Sequence, residues 1–219
     1  ELTSFGGIEI DDFAAEVARL SLWIAKHQAN RQHADRFGAF PPLIPLVQQG
    51  RIHCGNAVGE DWMNIFPHEP GTERFICGNP PYVGSSMQTR AQKLDMEAYF
   101  GDESFSRNLD YVSLWILKSA DCVASSWAVR AGLVATSSVC QGDHVALMFP
   151  KLFSRGVELG FAHTPFKWGN GARGNAGVAC VVLGLRAPSP SPAFIFSEGR
   201  RRAAGKIGPY LIEDQDQTV

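Results

Sequence analysis

Asn79, Pro80 and Tyr82 fall within four residues of one another and bring together a carboxamide oxygen, a backbone carbonyl and an aromatic ring. Two fixed acceptors can take both N–H bonds of an exocyclic amino group, while a ring beside them stacks on the face of the planar molecule that carries it. The local sequence supplies the rigidity this needs. Phe75, Ile76 and Cys77 form a short apolar run that fits a buried strand; it stops at Gly78, and Pro80-Pro81 follows at once. Neither proline can donate to a sheet ladder, and Pro81 keeps Pro80 out of the helical region. The strand must therefore end in a stiff, extended loop with Tyr82 at its tip, and open α/β sheets bind ligands at the carboxyl ends of their strands. A Pro-Pro turn with no chemistry is the competing account of the same letters.

Two further residues carry candidate chemistry. Phe5 to Asp12 reads as a strand running into a helix, with Asp12 as N-cap and Ala14, Ala15, Val17, Ala18, Leu20, Leu22, Trp23 and Ile24 at helical spacing. That places Glu9 near a strand's carboxyl end, where a carboxylate can hold a ribose diol through its two oxygens; a capping or surface acid is the alternative. Arg51 to Ala57 reads as a strand with a turn at Gly55-Asn56. Asn56 there offers an acceptor and a donor suited to an adenine edge, or serves the turn itself.

The remaining elements frame these positions. Residues 28–50 read as a long irregular connection, and Ser85 to Ser106 as a polar, mobile surface loop. An amphipathic helix is expected from about Asn108 to Val129; Asp110 near its start suits the helix dipole better than the site. Gly132 to Ser138 reads as a strand ending in hydroxyls, followed by a helix containing Val145, Ala146, Leu147 and Phe149. Alternation of strand and helix points to an α/β fold with a parallel, doubly wound sheet. Val157 to Pro165 and Ala176 to Leu185 read as strands with no helix between them, hence an antiparallel hairpin. Phe166 and Trp168 fall in the glycine-rich loop joining them, and Ala193 to Phe196 reads as a short edge strand beyond the Pro188–Pro192 connector.

With 219 residues the chain can bury a full core. No apolar run approaches the ~18 residues of a membrane span, so no membrane partner is expected. Five cysteines without C-x-x-C spacing read as reduced, buried thiols of a cytoplasmic protein, and no metal site is expected. A net charge of −2 argues against unaided wrapping of nucleic acid. The basic run Arg200 to Arg202 with Lys206 reads as a solvated loop. A chain opening on Glu1 and closing on an acidic tail, Tyr210 to Val219, is expected to be part of something longer.

Taken in order, Gly7-Ile8-Glu9-Ile10-Asp11, Gly55-Asn56-Ala57, Gly78 to Gly84, Leu109-Asp110-Tyr111-Val112, Ser138 to Gly142 and Phe166-Lys167-Trp168 resemble a γ-type N6-adenine DNA methyltransferase. The longer phrases are most similar to the single-polypeptide restriction–modification enzymes of the MmeI kind (type IIG/IIL), and the resemblance runs over nearly the whole chain. It implies a Rossmann-like methyltransferase fold, mostly parallel with an antiparallel C-terminal hairpin. Residues 1–187 would be the partial catalytic core, and 188–219 a connector and edge strand toward a target-recognition domain. It also implies S-adenosylmethionine as cofactor, held by Glu9, Ile10, Asn56, Ala57 and Asn79, with Glu9 at the ribose and Asn56 at the adenine. Asn56 stands where the family more often has Asp.

Asn79 and Pro80 would accept the target N6 amino group at the cofactor's methyl, within the catalytic loop Asn79, Pro80, Pro81 and Tyr82. Tyr82 would stack on one face of a flipped-out adenine and Phe166 or Trp168 on the other. Duplex DNA would be the partner of the full-length protein, with a nuclease and a target-recognition domain on the same parent chain. The family's first strand and glycine-rich cofactor motif have no counterpart in the 219 residues, which are therefore expected to be inactive in isolation. The rival readings are methylation of a protein glutamine or an RNA amino group, and a non-catalytic fragment that keeps the fold.

Overall fold

Strand formation near the amino terminus is local and short. In the computed structural model, which describes residues 2–38, 50–67, 69, 71–101, 107–168 and 178–214, β1 (Gly6–Glu9) lies parallel to β2 (Arg51–Cys54), with Glu9 opposite Cys54. Between them runs α1 (Asp12–Phe37). Asp11 caps it by accepting the Ala14 N–H at 2.7 Å, and Gly38, at φ 70°, ends it by donating to the Ala34 carbonyl. The cap is thus one residue earlier than expected. The helix also continues through the polar stretch read as irregular, because a largely solvated helix needs no broad apolar face; residues 39–49 lie outside the described ones. A single turn, α2 (Trp62–Ile65), capped by Asp61, completes this first compact unit, which ends at Pro67.

The second unit, His68–Val219, is built on a six-stranded sheet among the described residues. In space the order is β3 (Arg74–Gly78), β4 (Val129–Thr136), β6 (Ala179–Arg186), β5 (Glu158–Lys167), β7 (Ala193–Ser197) and β8 (Arg200–Ala204). Pairing is parallel for β3–β4 and β5–β7 and antiparallel for β4–β6, β6–β5 and β7–β8. The hairpin of β5 and β6 is as expected, but the sheet is mixed rather than mostly parallel. Beyond β5 no helix intervenes among the described residues, so the chain returns directly and antiparallel neighbours become available. Ala193 to Phe196 is flanked on both sides instead of forming an edge, and the arginine run expected as a loop is the edge strand β8. Strong positive charge is a common guard on such an edge.

The helices cover one face. Helix α4 (Ser113–Ser125) packs on β4 and β6 and against α5 (Gly142–Phe153), burying Leu114, Ile116, Leu117, Ala120 and Val123 over Val129, Ala131, Leu133 and Ala135 of β4. It is shorter than the helix expected from Asn108 to Val129, because Val129 already belongs to β4. The supposed loop of Ser85 to Ser106 contains a 3-10 turn, Ser85–Met87, and α3 (Arg90–Phe100), opened by a capping box between Thr89 and Gln92; residues 102–106 lie outside the described ones. On the other face Phe75 is 64% exposed and Cys77 is exposed too, so β3 is not the buried strand its composition suggests. All five cysteines are free thiols; Cys122, Cys140 and Cys180 are buried, while Cys54, like Cys77, is exposed, against expectation. No helix among the described residues is long and apolar enough to cross a membrane.

Candidate active site

Gly78 ends β3 where a side chain would crowd Leu133 of β4, and the chain then leaves the sheet as the proline-stiffened loop. Pro80 is buried and anchors it, whereas Asn79 is exposed. The Tyr82 hydroxyl donates to Asn79 Oδ1 and also bonds the Cys180 thiol of β6. Burial, and then the charge and hydrogen bond of Cys180, push the Tyr82 hydroxyl up to about 12, so it remains a proton donor at neutral pH.

The limb of the loop beyond Tyr82 is held from one side. Tyr111 N–H donates to the Val83 carbonyl at 2.8 Å, Gln88 Nε2 donates to the Leu109 carbonyl at 2.9 Å, and the Ser85 N–H bonds the Asp110 carboxylate. Asp110 lies ahead of α4 rather than in its first turn, so the dipole role expected for it does not apply. Its carboxylate also receives the Ser138 hydroxyl at 2.9 Å and has His144 Nε2 3.5 Å away. Burial opposes its ionisation, but the neighbouring His144, the Ser138 hydroxyl and the Ser85 N–H together hold the carboxyl below its ordinary 3.8.

The aromatic pair comes to the same end of this sheet. β5 runs in the direction of β3 and β4, so its last residues arrive where the loop departs. Phe166 is on β5 itself, not in the loop, and stands opposite Cys180, the partner of the Tyr82 hydroxyl; cross-strand partners lie side by side on one face. Trp168 follows with its ring 6.1 Å from that of Phe166 and is 37% exposed. Residues 169–177 lie outside the described ones. Cys180 itself was not foreseen, since within Val178 to Leu185 it reads only as one more apolar residue.

In the first unit, Glu9 is the last residue of β1 and Asn56 lies just beyond the carboxyl end of the adjacent parallel β2, the two joined where the Gly55 N–H donates to the Glu9 carbonyl at 2.8 Å. Glu9 Oε1 accepts the Asp11 N–H at 3.1 Å, and Asn56 Oδ1 accepts the Val58 N–H at 3.1 Å. Asn56 therefore performs the turn role. Ile10 is exposed and Ala57 half-buried; the Ala57 carbonyl accepts Trp62 Nε1 at 2.7 Å. A half-buried carboxylate and carboxamide at neighbouring strand ends fit a nucleoside, the carboxylate for a diol and the carboxamide for a base edge.

Comparison with known proteins points the same way. Residues 1–197 match the family described as "MmeI, DNA-methyltransferase domain". DNA methyltransferase A of Bacillus subtilis (strain 168) is 37% identical over 221 residues, covering 100% of this chain and 25% of that protein. The type IIL restriction–modification enzyme MmeI, solved in complex with DNA, superposes with a TM-score of 0.89 at 35% identity, covering 99% of this chain and 29% of that one. The chain thus spans between a quarter and a third of the length of these relatives.

Proposed function

The chain belongs to the MmeI DNA-methyltransferase family, and from that premise we propose that it is the core that methylates the N6 amino group of an adenine flipped out of duplex DNA, as part of a restriction–modification polypeptide. The observation that carries the reading is the exposed Asn79 beside buried Pro80 at the end of β3, with Tyr82, Phe166 and Trp168 at the same end of the sheet. The target nitrogen cannot be reached inside the stack, so the base has to leave the helix. Asn79 Oδ1 and the Pro80 carbonyl then accept its two N–H bonds, which concentrates the lone pair on nitrogen. In taking Asn79, the amino group replaces the Tyr82 hydroxyl that occupies that oxygen here. Tyr82 covers one face of the base, and Phe166 or Trp168 the other.

Glu9 with Ile10, and Asn56 with Ala57, would hold the ribose and adenine of S-adenosylmethionine, which family membership implies. When bound, that cofactor supplies an electrophilic methyl group. The contribution of the chain is orientation and aimed polar groups, the terms on which a two-substrate reaction of this kind depends. Target recognition and any nuclease belong, in this reading, to other domains of the parent polypeptide.

The test is transfer of labelled methyl by the natural polypeptide that carries this chain, offered duplex DNA, RNA and a glutamine-exposing protein. Label recovered from DNA as N6-methyladenine is expected. Label on RNA or on glutamine would replace the reading with a rival amino-group methyltransferase, and no cofactor consumption with any acceptor would point to a non-catalytic fold.

A further inference from the structure

Asp110 stands behind the Asn79–Tyr82 loop and joins three segments that are distant in sequence. Its carboxylate, in a side chain 15% exposed, takes hydrogen bonds from the Ser85 N–H of the loop and from the Ser138 hydroxyl after β4. Its own backbone N–H donates to His144 Nε2 of α5 at 2.9 Å. Ser138 Oγ lies 2.7 Å from Thr136 Oγ1, and Thr136 is the β4 partner of Cys180, which bonds the Tyr82 hydroxyl. The loop is therefore held twice: by Asp110 at its downstream limb and through Cys180 at its tip. A carboxylate suits the first position because it only accepts, and can satisfy a backbone donor and a hydroxyl at once. Neighbouring backbone contacts of Leu109 and Tyr111 set the same limb against the same segment.

We propose that Asp110 is a positioning residue for methyl transfer, holding the Asn79 and Pro80 oxygens in register by tying the loop to Ser138 and His144. The proposal rests on the methylation reading above. It assigns Asp110 no contact with base or cofactor, so its removal leaves binding intact and misplaces the acceptors. A misplacement of about 1 Å at a reacting centre costs on the order of 10²-fold in rate.

The experiment is steady-state and single-turnover methylation by the natural polypeptide, with active sites counted by burst amplitude. Asp110→Ala is expected to lower kcat per active site by about 10²-fold, with KM for DNA and for S-adenosylmethionine within about twofold of wild type. Asp110→Asn is expected to recover at least about tenfold of that loss, because its carboxamide oxygen still accepts from Ser85 and its NH2 can donate to Ser138. A purely structural role would reduce Tm and the active fraction but leave kcat per active site unchanged, and that result overturns the proposal; so does a raised KM at unchanged kcat. Asn79→Ala is measured alongside. A wild-type rate there would sink the methylation reading itself, whereas a slow Asn79→Ala with a normal Asp110→Ala sinks only the positioning role. If Asp110→Ala does not fold, Ser138→Ala is read on the same axes: a severalfold fall in kcat alone supports the proposal, and an unchanged kcat refutes it.

Discussion

Replacing Tyr82 by Phe and by Ala separates the two parts this residue plays. Stacking of a base on an aromatic ring is worth ~1–3 kcal/mol, a factor of about 5 to 150 in capture of the extruded adenine. Tyr82→Ala loses that whole amount. Tyr82→Phe keeps the ring but removes the hydroxyl that donates to Asn79 Oδ1. That hydroxyl competes with the incoming amino group, and a single hydrogen bond of this kind is worth about 0.5–1.5 kcal/mol net. Asn79 is exposed, so water takes over much of the lost contact. The Phe variant should therefore capture the base as well as wild type or up to about tenfold better. Fluorescence of a base analogue at the target position, titrated with each variant, reads this directly. Equal losses in the Phe and Ala variants would refute the reasoning, because the hydroxyl and not the ring would then carry capture.

Further outcomes follow from the same geometry. Glu9→Gln should weaken S-adenosylmethionine binding by about 10- to 150-fold, the range for hydrogen bonds to a charged group, as read by calorimetry; unaltered affinity would leave Glu9 as a capping acid. Gly184→Ala should destabilise the second unit by about 1–3 kcal/mol in denaturant melts, since a methyl there would fall 2.1 Å from the Phe161 ring. Asp110 should add stability that is fully present above pH 3.8 and is lost as pH falls through its lower folded-state value. Wild type should therefore be more stable than Asp110→Asn at neutral pH and converge with it in acid. A gap in melting temperature that did not close there would contradict the assignment.

The chemistry-bearing loop could be read from sequence because its rigidity is local: Gly78 and two prolines dictate the conformation wherever the strand lies. The β5–β6 hairpin was equally accessible, from two apolar runs with no helical pattern between them. What escaped depended on distant partners. Phe75 and Cys77 look buried by composition, yet in β3 they face away from α4 and α5. The pairing of Cys180 with Tyr82 requires β6 to lie between β4 and β5, a register that no local pattern specifies. Asp110 was misread for a similar reason, since its partners come from Ser85, Ser138 and His144. The α3 helix is a different kind of miss: Thr89 and Gln92 spell a capping box in the sequence itself. Among the described residues, four strands of the six-stranded sheet run one way and two the other, which follows from where the helices stop rather than from the composition of any strand.

The central claim is that Asn79 holds the amino group that is methylated, and single-turnover methylation of duplex DNA by the Asn79→Ala polypeptide, with S-adenosylmethionine affinity measured on the same preparation, tests it most directly. Loss of one aimed polar group of this type typically costs ~10²–10³ in rate, so the rate constant should fall by that factor while cofactor affinity stays within about twofold; a wild-type rate constant would contradict the account.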